Sequence, residues 1–246
     1  MTYKAEKIVP FADRENTKGE QIEIMFDEIA PQYDKLNRMM SFYLDKAWRK
    51  KGILSLKKFN PQRILDVATG TGDLAVEAYN LLQPASIVGI DISEGMMDVG
   101  RKKVTSLGLD DKITFGWQDC MDLQLEPDSF DAAIMAFGVR NFENLDKGLQ
   151  SIKNVLRPGG KLMILELSTP EHFPMKQGYR LYSRFVIPAL GRRLSKSKEA
   201  YKYLPRSIEA FPQNAELKAI LENNGFDEVD YKKLFPGVCT LYLATK

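Results

Sequence analysis

From Arg63 to Ser168 the chain alternates short β-rich runs with helical stretches: RILDVAT, GDLAVEAYNLL, SIVGIDI, EGMMDVGRKKVTSLG, KITFGWQD, FDAAIMAF, NLDKGLQSIKNVLR and KLMILELS. Strands separated by helices return to the sheet through helical crossovers, and this predicts a parallel sheet with helices on both faces. No other feature restricts the fold so strongly. The C-terminal end breaks the alternation, because NAELKAILENNGF reads as a helix closed by Gly225 and is followed by DEVDYKKLF and VCTLYLATK, joined at Pro236-Gly237. Two strands joined by a tight turn are antiparallel to each other, so one of them must run against the sheet. The expectation is a doubly wound α/β fold: a mostly parallel seven-stranded sheet with one antiparallel C-terminal strand.

A chain of 246 residues suits one such domain with decorations. Residues 1–60 read as a helical cap broken near Pro31, 61–169 as the core, 170–212 as a lid insertion, and 213–246 as the final helix and hairpin. Its 44% apolar content supports a large interior. No apolar run approaches the roughly 20 residues of a membrane span, and the start MTYKAEKIVPF lacks an apolar targeting region. Cys120 and Cys239 lie far apart with no metal-ligand spacing, and His172 is the one histidine, so a zinc site or a chemistry built on several histidines is excluded. A cytoplasmic protein is expected, with peripheral placement at the inner face of the membrane. A net charge of +2 gives no global signal for nucleic acid.

The sharpest local pattern runs from Ile64 to Ala75, ILDVATGTGDLA, a strand entering a glycine-bearing turn that opens a helix. Gly70 and Gly72 let backbone approach a ligand, and the helix start offers free N–H donors. Asp91 ends the second strand, where a carboxylate can accept both hydroxyls of a ribose, and Ile92 and Met96 follow it. Gly70-x-Gly72-x-x-Ala75 also satisfies the dinucleotide fingerprint of dehydrogenases. Three further features favour S-adenosylmethionine. Asp66 lies inside the first strand, where an acid can meet a cationic amino-acid end. Asp119-Cys120 follows the third strand, at the position of an adenine contact. Arg157-Pro158-Gly159-Gly160 precedes the fifth strand, resembling the helix-to-strand turn of class I methyltransferases. Each has a plain alternative: Asp91 as a helix cap, the glycine pair as a turn, Asp119 as a solvated acid, Cys120 as a small buried hydrophobe. Their recurrence at successive strand ends, where open α/β sheets bind ligands, argues against chance.

Tyr33-Asp34-Lys35-Leu36-Asn37-Arg38-Met39-Met40-Ser41 ending at Trp48, the segment NVLRPGGKLMILELS, and Phe137-Gly138-Val139-Arg140-Asn141 together resemble the menaquinone and ubiquinone biosynthesis C-methyltransferases of the UbiE/MenG type. The chain departs from that pattern at Asp45, where the family usually has His, and at Asn154 and Ala136. The resemblance implies cofactor contacts at Thr69, Asp91, Asp119 and Cys120, with Asp66, Gly70, Gly72, Ile92, Met96 and Phe137 around them. It also implies an acceptor that is a prenylated quinol, demethylmenaquinol foremost and a ubiquinone precursor besides. Such a ring is electron-rich enough to attack a sulfonium methyl once a hydroxyl is deprotonated, so no metal or covalent intermediate is needed. Arg140 is the residue expected to stabilise the developing phenolate, with Asn141 orienting it or a water, and Tyr33 lining the entrance. The plain alternative for Arg140 is an ion pair with a nearby acid.

Other acceptors stay open: another small molecule, an RNA, or the hydride chemistry of an NAD-binding oxidoreductase. Against nucleic acid, the chain lacks the Asn/Asp-Pro-Pro-aromatic loop and the Pro-Cys nucleophile. Arg49-Lys50-Lys51, Lys57-Lys58 and the run Arg192 to Lys198 are solvated faces or anion contacts. Between His172 and Arg206, Tyr179, Leu181, Tyr182, Phe185, Val186, Ile187 and Leu190 are interspersed with Lys176, Arg180, Arg184, Arg192 and Arg193, which suggests an amphipathic lid in transient contact with a membrane surface, or a helix packed on the core. The assembly allowed for is a monomer or a homodimer.

Overall fold

The computed structural model describes residues 2–187, 189 and 197–246. The cap is three helices, α1 (Lys18–Ile29), α2 (Tyr33–Met40) and α3 (Leu44–Ser55), with a turn at Ala30–Gln32 that holds Pro31. Thr17 opens α1 by a reciprocal cap: its hydroxyl accepts from Glu20 N, and the Glu20 carboxylate accepts from Thr17 N at 2.9 Å.

The core follows the expected alternation: β1 (Arg63–Val67), α4 (Asp73–Leu82), β2 (Ser86–Asp91), α5 (Glu94–Ser106), β3 (Ile113–Trp117), β4 (Phe130–Ala136), α6 (Leu145–Val155) and β5 (Leu156–Leu167). After α7 (Met175–Leu181) and α8 (Lys198–Ala210) come α9 (Ala215–Asn223), β6 (Asp227–Leu234) and β7 (Cys239–Thr245). The seven strands lie in the order β3-β2-β1-β4-β5-β7-β6. The β1, β2, β3, β4 and β5 pairings are parallel, and β7 runs antiparallel to both β5 and β6. One reversed C-terminal strand is thus what the sequence predicted. The glycine turn before the fifth strand differs in one respect. Helix α6 runs directly into β5, and residues 157–160 bulge out between the pairs Phe130↔Leu156 and Ala132↔Lys161.

Apart from exposed Arg63 at the start of β1 and half-buried Asp131 and Ala136 in β4, strands β1 and β4 are buried because both faces are covered, so they read as largely apolar runs rather than alternating ones. One core layer, with Leu65, Val67, Leu149, Ile152 and Ile164, lies under α6 and α9. The other, with Ile64, Ile87, Ala78 and Met163, lies under α3, α4 and α5. A third cluster joins the cap to the lid through Ile22, Met25, Leu36, Ile187, Tyr201 and Tyr203. No helix among the described residues is long and apolar enough to cross a membrane. The strand order reverses between the parallel β1 and β4, and the crevice above their C-terminal ends is where such sheets bind ligands.

Candidate active site

The loop leaving β1 takes left-handed backbone at Ala68, Gly70 and Gly72, with φ of 53°, 56° and 72°. That path brings Gly70 N to Asp91 Oδ2 at 2.8 Å. A side chain at Gly72 would put its Cβ 2.7 Å from the Phe115 ring, so Gly72 serves the packing of the loop on β3, whereas Gly70 borders the crevice. Asp91 Oδ1 accepts from Ser93 N at 2.9 Å. The helix cap of α5 is Ser93, whose hydroxyl accepts from Met96 N, so Asp91 is not consumed in capping. Burial pushes the Asp91 carboxyl up to about 6, against its backbone donors.

Asp66, on β1, is 1% exposed. Its Oδ2 accepts from the Thr69 hydroxyl at 2.6 Å, while Oδ1 is buried with no hydrogen-bond partner. Burial raises this carboxyl to about 7. An orphaned buried acceptor is costly unless something supplies a donor.

A cavity of about 240 Å³ opens beside Asp91. Gly70, Asp91, Ile92 and Met96 border it, with Gln118, Asp119 and Cys120 from the end of β3, and Phe137 and Asn141 from the end of β4. Asp119 Oδ1 accepts from Met121 N at 2.9 Å. Burial holds the Cys120 thiol well above its usual range, which keeps it neutral and unreactive. The roof is α1 and its cap, through Thr17, Gly19, Ile22 and Phe26, a contribution the sequence reading did not assign. Thr69 lies instead with Asp66 on an adjoining cleft of about 40 Å³, together with Asp34 and Thr71, and that cleft shares Gly70, Tyr33 and Phe137 with the larger cavity.

Beneath this cleft a charge network ties cap to core. Asp34 accepts from Thr71 Oγ1 at 2.6 Å and pairs with Lys103 at 2.9 Å. Asp73 pairs with Arg38 at 2.7 Å, with Arg49 at 3.3 Å and with Lys103. Asp45, at the position where a His was the family pattern, accepts from Ser41 Oγ at 2.7 Å and Arg49 at 2.6 Å. It therefore holds the cap in place and faces a cation rather than a proton to be removed. His172, exposed, borders none of the three cavities.

The second large cavity, about 390 Å³, is lined mostly by apolar and aromatic side chains from α1, α2, α3, α7 and α8, among them Met25, Trp48, Tyr179, Tyr182 and Tyr203. Phe26, Tyr33 and Phe137 border both cavities, so the two meet there. Tyr33 stands edge-on to Phe26 at 5.8 Å, and Trp48 edge-on to Phe137 at 6.3 Å. Arg140 lines the second cavity while only 5% exposed. Its Nη1 donates to Glu166 Oε1 at 2.9 Å and to the Phe137 carbonyl. The ion pair anticipated as the alternative therefore exists, and the arginine borders the cavity all the same. Asn141 does not bond Arg140; its Oδ1 accepts from the Tyr203 hydroxyl at 3.0 Å, and its side chain borders the first cavity.

Glu166 and Tyr203 were not singled out in the sequence. The available signal for Glu166 was an isolated acid within the apolar strand run KLMILELS. Tyr203 had none, since tyrosines in an amphipathic helix are ordinary core residues.

The profile of the ubiE/COQ5 methyltransferase family matches residues 14–246. The chain belongs to that family. A demethylmenaquinone methyltransferase of Bacteroides fragilis is 53% identical over 246 residues, covering 100% of both chains. The ubiquinone/menaquinone biosynthesis C-methyltransferase UbiE of Geotalea daltonii is 42% identical over 230 residues, 93% of this chain and 97% of its own. Among solved structures, an S-adenosylmethionine-dependent methyltransferase from Aquifex aeolicus superposes with a TM-score of 0.55 at 21% identity, over 75% of this chain and 81% of its own, which establishes the shared fold. This ubiE/COQ5 family member is thus a methyltransferase.

Proposed function

We propose that this enzyme transfers a methyl group from S-adenosylmethionine to a ring carbon of a prenylated quinol, demethylmenaquinol before a ubiquinone precursor. The observation that carries this reading is the meeting of two unlike cavities at Tyr33, Phe26 and Phe137, one bearing Asp91 and Asp119 and the other mostly apolar and aromatic. The full-length relatives named for demethylmenaquinone and for ubiquinone/menaquinone biosynthesis support the acceptor class.

The residues fit the methyl donor. Each Asp91 oxygen takes one backbone N–H and keeps a lone pair for a ribose hydroxyl. The orphaned Asp66 Oδ1 suits an ammonium, met directly or through water. Asp119 and Cys120 N are assigned to the adenine edge, with Ile92 and Met96 on its faces. S-adenosylmethionine supplies an electrophilic methyl on sulfur. The chain aligns the quinol carbon with it, and Tyr33 and Phe137 close the junction against water. Arg140 stabilises the charge that develops on the quinol oxygen; a guanidinium keeps its proton at working pH, so it serves as a donor and not as a base.

A membrane surface is the proposed source of the acceptor. Around the apolar cavity, Phe42, Leu181, Phe185 and Val186 are exposed, at 71%, 62%, 59% and 40%. Exposed Arg180 and Arg184 lie among them. Arg192, Arg193 and Leu190, counted in the same face from sequence, lie outside the described residues. Incubation with labelled S-adenosylmethionine and a panel of reduced demethylmenaquinones, ubiquinone precursors and RNA tests the whole assignment. Label is expected in the quinols; label in RNA alone, or none, refutes it. Flotation with anionic liposomes tests the surface, with salt-sensitive association expected and its loss in Arg180→Glu/Arg184→Glu.

A further inference from the structure

Glu166 is the penultimate residue of β5 and is 1% exposed, a carboxylate within the apolar run from Leu162 to Leu167. Three protein donors occupy it. Oε1 accepts from Arg140 Nη1 at 2.9 Å and from Leu167 N at 2.7 Å, and Oε2 accepts from Arg140 N at 3.2 Å. One carboxylate therefore grips both the backbone and the side chain of the same arginine. The Phe137 carbonyl takes the other proton of Nη1. On the opposite side, the ammonium of buried Lys18 donates to the carbonyls of Arg140 at 3.3 Å and Phe142 at 3.1 Å, fixing the turn from below.

The consequence lies in what is left over. With Nη1 spent, Arg140 Nε is buried without a partner, and among the described residues no protein acceptor bonds Nη2. These two nitrogens form one edge of the guanidinium, the edge able to hold an oxygen by two parallel bonds, and Arg140 lines the apolar cavity. A guanidinium on a flexible stem would otherwise present its edges at random. Burial opposes the charge, but the Glu166 carboxylate beside it holds the arginine protonated.

We propose that Glu166 is a positioning residue that commits the Nη1 face of Arg140 to the protein, leaving the Nε–Nη2 edge as the oxyanion-binding edge of the acceptor cavity. Glu166 itself touches no acceptor, and its oxygens are too occupied to remove a proton. This inference rests on the proposed role of Arg140 toward the quinol oxygen.

The test separates the two. Arg140→Ala removes the guanidinium and leaves Glu166 facing the vacated space, which ethylguanidinium matches in shape and charge. Millimolar ethylguanidinium, well below denaturing levels, is expected to raise the Tm of Arg140→Ala and restore part of its methyl-transfer rate. In Arg140→Ala/Glu166→Gln, which leaves no unpaired buried charge and so avoids the folding penalty of a lone Glu166→Gln, both effects are expected to vanish. In the parent background, Glu166→Gln should lower kcat about 10- to 100-fold, the scale of misplacing a catalytic group by an ångström, with the KM for S-adenosylmethionine near normal. Glu166→Asp should fall between. Equal stabilisation and rescue of the single and double variants, or none in the single, overturns the positioning role while leaving Arg140 in its own. An Arg140→Ala enzyme as fast as the parent overturns both.

Discussion

The two sides of the crevice are built on opposite plans. On the proposed donor side, Gly70, Asp91, Asp119 and Cys120 come from the ends of three neighbouring parallel strands within about a fifth of the chain, and backbone N–H groups hold the two carboxylates. On the acceptor side, residues as distant as Met25, Trp48, Arg140 and Tyr203 meet only because cap and lid helices fold over the sheet. The sheet fixes the first arrangement except for its roof, which α1 supplies. The second exists only while α1, α2, α3, α7 and α8 are docked, so the strand-end residues of the first are expected to keep their places through changes that abolish the second.

Arg140→Ala should show that separation most sharply. The methyl-transfer rate should fall about 10²-fold or more, as for the loss of one preorganised donor to developing charge, with cofactor affinity close to the parent's. The deficit should narrow as pH approaches the quinol's own pKa, since hydroxide then makes the phenolate. Single-turnover rates against pH for the parent, Arg140→Ala and Arg140→Lys measure this, with only partial recovery in the lysine variant.

The reverse lesion is Asp91→Ala, expected to weaken S-adenosylmethionine binding by about 1.5 to 3 kcal/mol through lost charge-assisted hydrogen bonds while leaving the acceptor cavity intact. Because burial places this carboxyl at about 6, parent affinity should be level above that pH and decline below it as the acceptor oxygens are protonated. Titration calorimetry from pH 5 to 8 shows the decline in the parent; an equally steep decline in Asp91→Ala would assign it to another group.

Asp66→Asn should reveal a stored cost. Its folded-state value of about 7 lies above the ordinary 3.8, so the folded protein binds the proton more tightly than the unfolded chain. Stability from this group is therefore full below the ordinary value and is lost as pH rises through about 7. The ligand-free variant should melt higher than the parent at pH 8, with the gain shrinking toward pH 5, and should bind S-adenosylmethionine more weakly. A lower Tm at pH 8 would mean Asp66 is structural.

The smallest effect is expected from Tyr203→Phe, which removes the donor to Asn141 across the junction of lid and core. A loss of about 1 kcal/mol, seen as a several-fold lower kcat with unchanged cofactor affinity, is the expectation for one neutral hydrogen bond. A larger loss would mean that the two sides are coupled through Asn141.

The sequence by itself determined the sheet and which residues stand together at its ligand-binding edge. Strand–helix alternation admits few topologies, and the ligand-binding end of each strand is the residue after its apolar run, so Gly70, Asp91 and Asp119 were identifiable as neighbours before any coordinates. The reversed last strand followed from one tight turn. Tertiary structure alone decided which residues complete the site from a distance. Thr69, a cofactor contact implied by the family resemblance, and Gly72, implied to shape the loop, turn respectively toward the Asp66 cleft and toward Phe115, since neighbouring residues of a turn point in different directions. Asp34 reaches Lys103, and Asp73 reaches Arg38 and Arg49, only when the cap docks. Arg140 could be read as a stabiliser or as half of an ion pair, and folding makes it both, because Glu166 reaches it from 26 residues away on the next strand. Periodicity and turn chemistry act over a few residues and are therefore visible in the sequence. A partner brought close by packing leaves no such local trace.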